Sequence, residues 1–205
     1  LTAMNNLACT LQAQGDLAAA RPLQESVLAA QRSLLGEEHP STLTTMNNLA
    51  QTLWAQGDLA AARTLEESVL TARRRLAGEE HPDTLTAMNN LASTLQDQGD
   101  LAAARALKES VLAVRRRLLG EEHPGTLISM NNLATTLCAQ GDLAAARTLE
   151  ESVLVALRRT LGNDHPHTKL AAENLATILR TMGDNATAVA PIDEEKTATD
   201  ANPRP

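Results

Sequence analysis

The sequence predicts an all-α solenoid of stacked helix-turn-helix units, and three observations predict it. Gly15, Gly57, Gly99, Gly141 and Gly183 recur every 42 residues, each followed by aspartate. A second glycine series (Gly36, Gly78, Gly120, Gly162) and a His-Pro pair at 39–40, 81–82, 123–124 and 165–166 keep the same period. Residues 43–84 and 85–126 are identical at most positions. A fixed period in the range of about 20–50 residues means units that cannot bury their apolar faces alone and do so by stacking.

Within one unit, each element follows from its residues. After Pro40, Ser41 is expected to cap a helix that runs to about Gln56. Its buried stripe is Leu43, Met46, Leu49, Ala50 and Leu53, at three- and four-residue spacing. Gly57 ends that helix where a left-handed backbone is needed, and Asp58 opens the next as its N-cap. Leu59, Ala62, Leu65, Val69, Leu70 and Leu76 give the second helix its apolar face. Arg73, Arg74 and Arg75 sit in its last turns, favourable against the negative helix end. Gly78 stops it, and Glu79-Glu80-His81-Pro82 links to the next unit. The array is thus 1–42, 43–84, 85–126, 127–168 and a partial unit 169–184. The fifth unit keeps Leu170, Asn174, Leu175 and Leu179, but the text after Asp184 lacks a leucine stripe and contains Pro191. Residues 185–205 are therefore expected to form a weak cap helix and a disordered polar tail.

Composition narrows the function. Among 205 residues there is no Phe or Tyr and one Trp, Trp54, so the core rests on Leu, Ala, Val and Met, as close-packed helices allow. The formal net charge of −7 argues against nucleic acid or an anionic membrane as partner, since both recruit basic surfaces. Cys9 and Cys138 are too few and too distant for a disulfide framework or metal knuckle. No apolar run approaches the roughly 18–20 residues of a membrane span. No signal peptide is seen, and the chain opens on Leu1 in mid-pattern, as a fragment would. A soluble cytoplasmic protein without a cofactor is the expectation. No nucleophile–base pair, phosphate loop or carboxylate pair points to catalysis. The Glu-Glu-His triplets (37–39, 79–81, 121–123) lie one per unit, whereas structural zinc needs four convergent ligands, so they read as solvated turns. The arginine runs 73–75 and 115–117 read as self-paired helix ends beside acidic loops.

The repeated "MNNLA" poses the functional question. Burying an amide without a partner costs roughly 1–3 kcal/mol, yet two adjacent asparagines recur. Asn48 lies one step off the apolar face, on the side shared with Thr44, Gln51 and Ala55.

The stretch "MNNLASTLQDQGDLAAARALKESVLAVRRRLLGEEHP" (88–124) resembles a tetratricopeptide repeat of the long kind found in kinesin light chains, and the likeness covers residues 1–182. The resemblance implies a right-handed superhelix whose first helices line a concave surface. It implies that the asparagine before "LA" (Asn6, Asn48, Asn90, Asn132, Asn174) forms a ladder gripping an extended peptide by its backbone. Similar arrays also serve as sensor arms of nucleotide-binding signalling ATPases, which is a second reading of this chain. An amide suits the ladder role because it both donates and accepts. The competing reading is that Asn48 bonds the neighbouring repeat's helix. The companions Asn47, Asn89 and Asn131 (with Asn5) are open between groove edge and inter-repeat bonding. Gln51 and Trp54 complete the candidate peptide-binding set; Trp54 is either an anchor or a packing residue. The first helices of units one to four are read as carrying no Lys or Arg and only one acid, Asp97. Relatives that catch acidic tails place basic residues beside the asparagine, and here only Lys169 and Arg180 are near. The expected groove is neutral and amide-lined, taking an uncharged or weakly basic peptide or a partner helix. Self-association through uncapped terminal repeats is a third reading. The chain also departs from the family: Leu11, Leu17, Leu53 and Leu59, and Gln24, Glu66, Lys108 and Glu150, occupy usually aromatic positions. Leaner packing and modest stability per repeat follow.

Overall fold

The computed structural model describes residues 1–183, and the expected cap helix and tail at 185–205 lie outside them. Nine helices follow one another among the described residues: α1 (Thr2–Ala13), α2 (Leu17–Leu35), α3 (Pro40–Ala55), α4 (Leu59–Ala77), α5 (Pro82–Asp97), α6 (Leu101–Leu119), α7 (Pro124–Gln140), α8 (Leu143–Leu161) and α9 (Pro166–Met182). Each packs mainly on its sequence neighbours, as a one-dimensional stack requires. None of these helices is long and apolar enough to cross a membrane.

The helix ends are set by side chains at fixed positions. Asp58 accepts from the Ala61 amide at 3.3 Å, and Asp16, Asp100 and Asp142 do the same for their helices. Gly57 sits at φ +82°, where any Cβ would be strained, so the tight turn between paired helices depends on glycine. At the other turn the expected Ser41 cap is replaced. His39 is the cap: its Nδ1 accepts from the Ser41 amide at 3.1 Å, and Pro40 occupies the first turn. Proline there lacks only a hydrogen that the helix end would leave unpaired anyway. His81, His123 and His165 repeat the device, which accounts for the recurrence of His-Pro. The earlier start also brings a second acid, Asp83, into α5, where it pairs with Arg73 at 2.7 Å.

The apolar stripe of the first helices is buried as expected: Leu43, Met46, Leu49, Ala50 and Leu53 are all 5% exposed or less. Leu76 is not part of the core. It is 51% exposed, and Leu34 and Leu118, at the same position of α2 and α6, are exposed with it. The first unit differs at α1, where Leu1, Met4 and Leu7 are exposed.

Polar contacts fix one unit on the next. Gln56 Nε2 donates to the Leu17 carbonyl at 3.1 Å, and Arg21 reaches Gln56 Oε1 at 3.3 Å; Gln140, Leu101 and Arg105 repeat this two units on. The arginine runs meet acids except at Arg115, which donates instead to the Gly125 carbonyl and the Ser129 hydroxyl. Arg75 meets Glu38, Arg117 meets Glu80 and Arg159 meets Glu122, each reaching back to the linker of the preceding unit. The Glu-Glu-His triplets are thereby divided: the first Glu pairs within its unit (Glu79 with Arg74), the second pairs across units, and the His caps.

Candidate interaction groove

The odd-numbered helices carry the asparagine doublets, and the structure joins successive helices through them. Asn90 Nδ2 on α5 donates to Asn47 Oδ1 on α3 at 2.6 Å, and Asn174 on α9 repeats this with Asn131 on α7 at 2.9 Å. The alternate contacts differ. Asn48 reaches the Cys9 sulfur at 3.4 Å, and Asn89 turns back to the Leu85 carbonyl at 3.1 Å. Asn47, Asn48, Asn89, Asn90, Asn131, Asn132 and Asn174 are all half-buried, and Asn6 is exposed. The amides are therefore neither sealed in the stack nor wholly solvated. A primary amide has two N–H donors and an acceptor oxygen, so the pair Asn90–Asn47 uses only part of its capacity.

Beneath this row the even helices place Gln24, Glu66, Lys108 and Glu150, at 0%, 4%, 5% and 2% exposure. Each falls on the apolar stripe of its helix, as Glu66 does between Ala62 and Val69. From sequence the position stood out as a departure from the family but not as part of the candidate site; its place on that stripe was the signal. Lys108 is well served. Its ammonium donates to Gln96 Oε1 and Thr136 Oγ1, both at 2.7 Å. Burial lowers its pKa, and the charge of Asp97 works against that. Gln24 is bonded to Gln12 at 3.2 Å. Glu66 and Glu150 each have a buried carboxylate oxygen, Oε2, with no partner. Burial pushes Glu66 up to about 6, the Thr94 hydroxyl offsetting a part short of a formed bond, and pushes Glu150 up to about 7. The Cys138 thiol is raised by burial and by Glu150. The helix wall is thus nearly free of charge while its floor is not.

One cavity, about 440 Å³, opens on this face. It is walled by α1, α3 and α5 and the start of α2, with Glu66 of α4 at its base, and it brings together three of the expected site residues, Gln51, Trp54 and Asn90. Trp54 is 43% exposed, and its indole N–H donates to Asp97 Oδ2 of the next repeat at 2.6 Å. Asn6, Asn132 and the Asn131–Asn174 pair lie outside this cavity, elsewhere along the odd helices.

The tetratricopeptide repeat model matches residues 1–75, 67–116 and 83–154, which together span most of the chain. A crystal structure of a Podosopora anserina protein assigned as a kinesin light chain, with nearly identical TPR-like repeats, superposes with a TM-score of 0.83 at 32% identity, covering 92% of this chain and 89% of that one. A point variant of that protein gives 0.84 at 31%, covering 92% and 89%. BtubC of P. vanneervenii gives 0.76 at 23% identity, covering 90% and 74%, a likeness of fold alone. No curated protein matches the chain in sequence.

Proposed function

The chain belongs to the tetratricopeptide repeat family, of the kinesin-light-chain-like kind, and from that premise we propose that it holds an extended peptide or partner helix along its odd-helix face. Proteins of this family generally act as interaction scaffolds rather than enzymes. The amides of Asn6, Asn48, Asn90, Asn132 and Asn174 grip the ligand backbone, the companions Asn47, Asn89 and Asn131 brace them across repeats, and Gln51 and Trp54 supply side-chain contacts. Both of the earlier readings of the asparagines are thereby used, one hydrogen bond to the next repeat and the remaining capacity to the ligand.

The observation that carries this reading is the cavity shared by Gln51, Trp54 and Asn90 on two successive odd helices. Each amide bond nets about 0.5–1.5 kcal/mol, so the ladder supplies affinity without choosing a sequence, and pockets must choose. The face suits an uncharged or weakly basic segment, since its odd helices α1, α3, α5 and α7 carry no Lys or Arg. A cytoplasmic setting fits the free thiols of Cys9 and Cys138.

The test is selection of binders from a displayed library of random nine-residue peptides, comparing the array with N48A/N90A/N132A. Loss of binders with unchanged helical circular dichroism supports the groove. Equal recovery by the triple variant would show that the asparagines serve the stack alone. A second reading, self-association, draws on the exposed Leu1, Met4 and Leu7 of α1, and light scattering across concentration checks it.

A further inference from the structure

We propose that the cavity between α3 and α5 is a pocket for a lysine or arginine side chain of the peptide, with the Glu66 carboxylate as its counter-charge. This rests on the groove reading above and adds the chemistry that chooses the ligand.

Glu66 is an unbalanced group. It is 4% exposed, its Oε2 is without a hydrogen bond, and no salt bridge among the described residues reaches it. Buried carboxylates are normally paired, because an isolated one loses its hydration and gains nothing in return. Glu66 nevertheless lines an open cavity of about 440 Å³ through the little of its surface that stays accessible, while Oε2 itself is shut from solvent. The next repeat shows what completes such a site. There the same position holds Lys108, whose own ammonium sits between Gln96 and Thr136. In the second unit the ammonium is missing and the carboxylate is in its place, with Thr94 in the position of Thr136.

The walls suit a cationic side chain on a methylene stem. Trp54 presents a half-exposed ring, which attracts a cation to its face, and Leu17 and Ala55 offer apolar surface for the stem. Asp97, bound to the indole N–H, orients the ring and adds negative potential nearby. Asn90, Gln51 and Ser93 at the mouth can pair with the peptide backbone that carries the side chain. An acidic side chain would be repelled here, and an apolar one would leave the carboxylate without a counter-charge.

The experiment selects nine-residue peptides from a random displayed library on the intact chain. The binders should share a Lys or Arg at one position. A resynthesised binder is then compared with its norleucine replacement, reading the emission of Trp54, the only tryptophan of a chain without tyrosine. Norleucine should weaken binding about ten- to hundredfold, the loss of one charge-assisted hydrogen bond. Glu66→Gln should weaken the lysine peptide by the same factor and remove the distinction from norleucine. Glu150→Gln, the same change outside the cavity, should leave both affinities alone. Binders without a basic residue, or full lysine affinity in Glu66→Gln, would overturn the pocket; the groove reading would survive if Asn90→Ala still weakened those binders. Recovery of no peptide would overturn both.

Discussion

Lys108 and Glu150 hold the same position in successive repeats and are equally buried, yet their surroundings treat them differently. Around Lys108, Gln96 lies twelve residues before and Thr136 twenty-eight after, and both are bonded to it. Around Glu150 those two positions are Cys138 and Ile178, neither of which can serve a carboxylate well. The lysine is consequently held with two charge-assisted bonds, while a Glu150 oxygen is left alone and its proton is retained to about pH 7. The lesson is that a polar residue inside a stack is stable or costly according to what its own unit and the following repeat place against it: Gln96 shares the unit of Lys108, and Thr136 lies in the next.

The largest effect should come from Lys108→Ala. It leaves Gln96 and Thr136 facing a void, and a loss of roughly 2–4 kcal/mol is expected in urea unfolding, fitted with nearest-neighbour coupling between repeats. Glu150→Ala at pH 8 should cost clearly less, since it removes no bond and relieves a buried charge. Equal losses would erase the contrast.

Next is the dependence on pH. Glu150 has an ordinary value near 4.5 and a folded value of about 7, so between these limits the folded chain binds the extra proton. The stability this group contributes is then full below about pH 4.5 and falls as pH rises through 7, by up to about 3 kcal/mol. Glu66, folded at about 6, adds a smaller fall over pH 4.5–6. Glu150→Gln should flatten the upper part of the profile and be more stable than wild type at pH 8. A stability that rises with pH across this window would contradict the placement of both carboxylates.

Ile178→Thr would give Glu150 the hydroxyl that Thr136 gives Lys108. Carbon-13 titration of the carboxyl should show its pKa lowered, with a net change in stability at pH 8 of only about 0.5–1 kcal/mol, because one apolar contact is surrendered. The last measurement separates the asparagine contacts. A double-mutant cycle on Asn47 and Asn90 should return a coupling of about 0.5–1.5 kcal/mol, and the cycle on Asn89 and Asn132, which share no bond, a value near zero.

Much of this architecture was legible before any coordinates. Periodic glycine, aspartate and leucine located the paired helices because each acts on its own few neighbours: a positive φ, an N-cap, an apolar face. The cap at Ser41 was misplaced by two residues because histidine capping through Nδ1 has a weaker signature than a hydroxyl ahead of a helix. Leu76 looked buried because apolar spacing along one helix does not say which of its positions a neighbouring helix covers. The site was legible only in part. Gln51 and Trp54 were named from the residues of α3 and Asn90 from the family resemblance, but that they share one cavity with Glu66 depends on how five helices, α1 to α5, come together.

By itself the sequence determined the period, the pairing of helices and the stack, since the energies that fix them are local or repeat identically in every unit. Only the tertiary structure decided which amide meets which, and whether a buried charge finds a partner. The amide pairs join residues 43 apart, and the partners of Lys108 lie 12 and 28 residues away. A single difference between units, such as Thr136 in one and Ile178 in the next, alters them while leaving the helical pattern unchanged.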